Sequence, residues 1–287
     1  MLERVKIVEV GPRDGLQNEA RIIPTAQKVH LIDLLSLTGL SAIEVASFVS
    51  PKWVPQMADG AGVLAAIRRR PGVAYAALVP NLQGYRHARD AAADEIAVFI
   101  AASEGFSRHN INCTIAESLE RIRTIAAAAR ADRVGMRGYI SCAIACPYDG
   151  PTPPETVVRL TSELLDLGCY EVSLGDTIGA GIRATTSAML DAVLKRVPAR
   201  ALASHFHDTA GAALANIGVG LEMGVRTFDA SVAGLGGCPF APGAPGNVAT
   251  GAVVDYLAGR GFETGIDTQR LEAAARMARK IKGGVRQ

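Results

Sequence analysis

The chain has 287 residues and 49% of them are hydrophobic, enough apolar material for one large core or two small ones. Thirty basic against 28 acidic residues leave a net charge of +2, so composition gives no electrostatic reason to expect nucleic acid or an anionic membrane as a partner. A basic pocket for a small anion stays open. No apolar run approaches the length of a membrane span. A strand-like segment begins at residue 5, which leaves no room for a targeting peptide ahead of it. Five cysteines without short regular spacing predict reduced thiols and a cytoplasmic setting. Cys142 and Cys146, four apart, read as buried structural thiols rather than a zinc pair.

Along the chain, short β-rich runs alternate with longer Ala- and Leu-rich runs of helical period. The strand-like runs are 5–10, 42–47, 74–79, 95–101, 137–143, 170–174, 201–207 and 227–232. Helix-like runs at 25–38, 58–69, 115–130, 154–167, 185–196 and 211–223 lie between them. This alternation signals βαβ units and a parallel sheet. Eight units in about 250 residues predict a closed (β/α)8 TIM barrel. An open doubly wound sheet is the second choice, and it lacks a Gly-x-Gly-x-x-Gly between a strand and a helix. The pattern predicts one domain over 1–287, with the barrel at 5–262 and an added C-terminal helix within 266–283. A faint repeat supports this reading. Gly175-Asp176-Thr177 and His207-Asp208-Thr209 lie 32 residues apart, about one βα unit, each ahead of a glycine at a helix entry.

In such a barrel the strand C-terminal ends form the active face. The first strand ends in Glu9-Val10-Gly11-Pro12-Arg13-Asp14-Gly15-Leu16-Gln17, the second carries Glu44 and Ser47, and the sixth ends near Asp176. On the seventh, His205 and His207 are two apart, so both imidazoles share the inward face while Phe206 packs outward. With Asp14 and Asn247 at the same mouth, the pair reads as metal ligands rather than core histidines. Two nitrogens, a carboxylate and an amide oxygen suit Mg²⁺ or Mn²⁺, with Zn²⁺ still open. Arg13 could hold a carboxylate or a developing enolate oxygen. From Gly234 to Asn247 the chain has five Gly, three Pro and Cys238, a composition for a loop carrying one reactive thiol. Cys238 is a candidate general acid there. Glu44 and Asp176 read equally as buried hydrogen-bonding groups or as carboxylates that orient ligands.

These residues resemble the 3-hydroxy-3-methylglutaryl-CoA lyase family of metal-dependent TIM-barrel lyases. The likeness is carried by the runs at 8–19, 47–56, 110–113 and 173–177 and by the Cys238 segment, which is the most specific of them. The resemblance implies a divalent cation on Asp14, His205, His207 and Asn247, with Cys238 as the catalytic thiol. It implies Arg13 at the thioester oxygen, and Gln17, Ser47 and Asn110 beside it on the acyl-CoA. Arg13, Asp14, His205, Asp176, Glu44 and Cys238 form the catalytic set. The implied reaction is retro-Claisen cleavage to acetyl-CoA and acetoacetate, by a homodimer or larger homo-oligomer. Gly251 and Ala252 stand where the family pattern is acidic, and Ala210 where an aromatic is usual. These departures keep a related substrate such as a citramalyl-CoA open. A Claisen-type synthase or aldolase stays open as well, and so does a non-catalytic metal and acyl-CoA binder.

Overall fold

The computed structural model describes residues 2–237 and 246–283. Eight strands form a closed barrel: β1 (Lys6–Glu9), β2 (Ala42–Ser47), β3 (Ala74–Leu78), β4 (Glu95–Ala101), β5 (Gly135–Ser141), β6 (Glu171–Asp176), β7 (Leu202–Phe206) and β8 (Thr227–Ala230). All pairings are parallel, and β8 returns to β1 with Thr227 opposite Lys6 and Ala230 opposite Glu9. Closure rules out the open sheet. Around it lie α1 (Thr25–Leu35), α2 (Gly60–Ala66), α3 (Leu82–Asp90), α4 (Glu104–Ile111), α5 (Ile115–Asp132), α6 (Pro154–Asp166), α7 (Arg183–Leu194), α8 (Ala213–Glu222) and α9 (Thr250–Gly259). The added helix α10 (Thr268–Gly283) packs against α1 and buries Leu271, Ala274, Ala275, Ala278 and Ile281. No helix among the described residues is long and apolar enough to cross a membrane.

Local chemistry sets the boundaries. Helix α5 starts at a capping box, with Glu117 N–H donating to Thr114 Oγ1 and Thr114 N–H donating to the Glu117 carboxylate. Strand β5 begins two residues before the predicted 137 and stops at Ser141, because Cys142 takes a left-handed φ of 58°. Strand β6 runs to Asp176, two residues past the predicted end. Helices α3 and α4 fall where the apolar pattern gave none; both are short and polar, and each is started by a side-chain cap, Asn81 and Ser103 respectively.

Alternation along the strands divides the barrel into two environments. Outward residues such as Val172, Leu174, Phe206 and Phe228 are fully buried under the helices. The interior is polar: Glu44, Arg137, Glu171, Ser173 and Asp229 are all buried there. Charges withdrawn from water to this degree must pair with one another and with hydrogen-bond donors.

Candidate active site

The site begins where β1 ends. The backbone N–H groups of Asp14 and Gly15 both return to Val10 O, winding Gly11–Gly15 into one wide turn. Two glycines make that turn possible. A Cβ on Gly11 would lie 2.6 Å from Glu9 Oε1, and one on Gly15 would lie 2.7 Å from Leu235 Cβ. The turn presents Arg13 and Asp14 at the barrel mouth. His205, on β7, and His207, one residue beyond it, share the inward face, while Phe206 packs outward in the core. Asn247 forms an isolated antiparallel bridge with His207, and Ala249 an isolated parallel bridge with Ser231. Asn247 is thereby wedged between the ends of β7 and β8.

Asp14, His205 and His207 each offer a ligand atom, and these atoms lie within 4.8 Å of one another. Asn247 Nδ2 donates to Asp14 Oδ2 at 2.8 Å. All four residues line a cavity of about 690 Å³ at the mouth, together with Arg13, Gln17, Asn110 and Tyr139. Arg13 donates to Asp14 Oδ1 at 2.6 Å and to Glu44 Oε2 at 2.8 Å, and its buried Nε has no partner among the described residues. Tyr139 OH donates to Glu44 Oε2 and accepts from Arg137. Arg137 reaches Glu171 and Asp229, and Asp229 Oδ2 lies 3.4 Å from His205 Nδ1. The contacts therefore run from Asp14 through Arg13, Glu44, Tyr139, Arg137 and Asp229 to His205, which is back beside Asp14.

The cluster fits a divalent cation on two grounds. Four carboxylates, Asp14, Glu44, Glu171 and Asp229, meet only two guanidiniums, Arg13 and Arg137, in a mostly buried space. An uncompensated buried negative charge of this size is costly without a cation. The donor set is imidazole and oxygen, with His207 Nδ1 buried and without a partner among the described residues. The charge states agree. Burial pushes the Asp14 carboxyl up, but Arg13, the two histidines and the Asn247 hydrogen bond outweigh it and hold it at about 2. Burial and neighbouring His205 depress His207 to about 4, so it stays a neutral donor. Burial works against charge on His205 too, yet Asp229 and Asp14 hold it above the usual imidazole value. Burial raises Asp229, and Arg137 and His205 more than reverse this.

Other predicted residues sit elsewhere. Ser47 is buried, accepts from Val49 N–H and does not line the cavity. Asp176 is also absent from the lining; its two oxygens accept from Ala180 and Gly181 N–H, which ties it to the turn after β6. Asp208 likewise accepts from Ala213 N–H, so the Asp-Thr repeat marks two capped turns. Cys238 lies outside the described residues. Gly237 and Gly246, which flank positions 238–245, approach so closely that a Cβ on Gly246 would lie 2.8 Å from Gly237 C. The two ends of that segment meet at the cavity rim. Sequence reasoning missed Arg137, Tyr139, Glu171 and Asp229. The signal was there: polar residues at alternate positions of β5 and β6, and one on β8, on the strand face that turns into the barrel.

A closed barrel with an acid–imidazole cluster at its C-terminal mouth defines an α/β-barrel protein with a site whose residues fit one divalent cation. The chain belongs to the HMGL-like family, whose model matches residues 4–278. It is 57% identical over 270 residues to 3-hydroxy-3-methylglutaryl-CoA lyase, cytoplasmic, of Danio rerio, covering 94% of this chain and 81% of that protein. It is 54% identical over 281 residues to 3-hydroxy-3-isohexenylglutaryl-CoA/hydroxy-methylglutaryl-CoA lyase of Pseudomonas aeruginosa, covering 98% and 94%. The crystal structure of the HMG-CoA lyase from Brucella melitensis superposes with a TM-score of 0.97 at 59% identity, over 98% of this chain and 99% of that one.

Proposed function

We propose that this protein is a divalent-cation-dependent lyase that cleaves 3-hydroxy-3-methylglutaryl-CoA to acetyl-CoA and acetoacetate. The observation that carries the reading is the convergence of Asp14, His205, His207 and Asn247 beside Arg13 in one cavity, in a chain of this family. Asp14, His205, His207 and Asn247 would hold the cation, with Mg²⁺ or Mn²⁺ best matched to the donor set. When bound, the cation would chelate the substrate hydroxyl and carboxylate and lower the hydroxyl pKa.

The chain's own residues supply the rest. A base at the mouth, Asp14 or a neighbouring histidine, accepts the hydroxyl proton. The C2–C3 bond breaks, its electron pair moves into the thioester, and the C3 oxygen becomes the ketone of acetoacetate. Arg13 stabilises the enolate oxygen; its unpaired Nε is the free donor, and Glu44 fixes its plane. Cys238 delivers the proton that completes acetyl-CoA. Gln17 and Asn110 meet the acyl-CoA along the cavity wall. Cytoplasmic placement belongs to the same reading and rests on the four unbridged thiols among the described residues. So does the homo-oligomer, which sedimentation measures.

The test is acetyl-CoA release from 3-hydroxy-3-methylglutaryl-CoA by the purified protein with Mg²⁺ or Mn²⁺, repeated with EDTA. Metal-dependent cleavage supports the reading, and no cleavage by metal-loaded protein overturns it. A second reading, a broader 3-hydroxyacyl-CoA substrate, is favoured by the Pseudomonas relative, whose name carries both a methyl- and an isohexenyl-substituted glutaryl-CoA.

A further inference from the structure

His205 and Asp229 sit in adjacent strands in direct register. Both side chains face the barrel interior. Asp229 has no exposure, and its two oxygens are fixed from the far side: Oδ1 accepts from Arg137 at 2.8 Å and Oδ2 accepts from Ser173 Oγ at 2.7 Å. Arg137 is itself clamped by Glu171 and Tyr139. Asp229 is therefore a rigid acceptor. The polar atom it faces across the register is His205 Nδ1, 3.4 Å from Oδ2; this is a close approach rather than a formed hydrogen bond, and that buried nitrogen makes no hydrogen bond to any other group among the described residues. An imidazole carries its single proton on one nitrogen, and the nitrogen facing an ionised carboxylate is the one that keeps it.

We infer that Asp229 is a positioning residue that locks His205 in the Nδ1–H tautomer and leaves Nε2 as the ring's only lone-pair donor. Asp229 touches neither substrate nor cation; it acts through His205. The inference rests on the cation reading of the Asp14–His205–His207 cluster for its purpose, and on the Asp229–His205 geometry for its content. It also gives the Arg137–Glu171–Ser173 group a purpose, since each of these holds the carboxylate at its post.

Substituting Asp229→Asn keeps the shape and inverts the chemistry. Arg137 draws the amide oxygen toward itself, which turns the amide N–H₂ toward His205 Nδ1. The ring is then driven to the Nε2–H tautomer, whose Nε2 has no lone pair to give.

The experiment reads the tautomer directly. Two-bond ¹H–¹⁵N correlation spectra of the cation-free full chain, recorded above the His205 titration, are compared for wild type and Asp229→Asn, alongside Mn²⁺ titration calorimetry. Wild type is expected to show His205 as Nδ1–H. The variant is expected to show Nε2–H and to bind Mn²⁺ about 10- to 100-fold more weakly, the size of effect seen when a ligand's supporting hydrogen bond is lost. Ser173→Ala, which removes one of the bonds fixing the carboxylate but leaves its charge and Arg137 in place, should keep the Nδ1–H tautomer and weaken Mn²⁺ binding by less than Asp229→Asn does. Nε2–H in wild type overturns the inference without any variant, so misfolding of Asp229→Asn does not shelter it. Unchanged tautomer and affinity in a folded Asp229→Asn overturn it as well. Wild type that shows Nδ1–H but binds no Mn²⁺ sinks the cation reading and leaves the Asp229–His205 pairing standing.

Discussion

Arg13 joins two carboxylates from different elements, Asp14 in the turn after β1 and Glu44 on β2: one terminal nitrogen is 2.6 Å from Asp14 Oδ1 and the other 2.8 Å from Glu44 Oε2. Only a planar guanidinium fork spans both while leaving a third nitrogen, Nε, without a partner among the described residues. A lysine keeps the charge and loses the span. Arg13→Lys is therefore expected to lower kcat by about 10²- to 10³-fold, the scale of losing one aligned donor to a developing oxyanion. Mn²⁺ affinity should move far less than kcat, because Arg13 is not a ligand. Steady-state kinetics and calorimetry on the same preparation separate the two effects, and wild-type kcat in the variant removes Arg13 from the enolate.

His207 is depressed to about 4 by burial and by His205, so at neutral pH it offers a lone pair at no protonation cost. Truncating it to alanine should weaken Mn²⁺ binding by well over tenfold, roughly 2 kcal/mol or more for a lost ligand. The fold should survive, since His207 lies beyond the end of β7. Unchanged Mn²⁺ affinity by calorimetry would return the histidine pair to the status of core residues.

Cys238→Ala is expected to abolish acetyl-CoA release while leaving Mn²⁺ affinity at its wild-type value. None of the cysteines among the described residues lines the cavity. Cys113, Cys142, Cys146 and Cys169 are all buried, and burial pushes Cys169 up to about 12. Turnover at the wild-type rate would end the proposed role of this thiol.

The barrel was readable because its strands and most of its helices carry their own periodicities, as in the alternation of β6 and the apolar stripe of α6. His205 and His207 were readable because spacing of two on a strand is a local geometric statement. What escaped was non-local. Arg137 and Asp229 are 92 residues apart and become neighbours only when the barrel closes. The same applies to Tyr139 and Glu44. Asp176 carried two readings in the sequence, and its hydrogen bonds match the first of them, a buried group that ties down the turn after β6. Ser47 ends β2 at the mouth, yet it is buried clear of the cavity.

Glu9 sets a pH dependence of stability. It is fully buried, and burial raises its carboxyl to about 7 despite hydrogen bonds from Thr250, Val232 and Gly11. The folded state then keeps a proton that the unfolded chain releases near 4.5. Stability from this group is complete below 4.5 and is lost as pH rises through 7, a change on the order of 3 kcal/mol. Glutamine retains an oxygen for Gly11 and Val232 and an N–H₂ for Thr250 Oγ1, without the titration. Denaturant unfolding of wild type and Glu9→Gln at pH 5 and pH 8 should show the variant gaining relative stability at the higher pH. Parallel curves for the two proteins would mean that Glu9 stays ionised in the fold.

Gly251 stands at the second position of α9, where the family resemblance leads one to expect an acidic residue. A Cβ added there meets nothing within 4 Å, and its φ is not left-handed. The glycine therefore contributes only backbone freedom that folding must remove. Gly251→Ala is expected to stabilise the protein by about 0.5–1 kcal/mol. Gly251→Glu should stabilise by a similar amount, because a carboxylate in the first turn of a helix also meets the positive end of its dipole. Thermal unfolding of the three proteins checks both values. The same pair asks whether the missing carboxylate matters to chemistry. A rise in kcat with glutamate but not with alanine would assign the acid a part in turnover, whereas equal kcat in all three would confine the difference to helix stability.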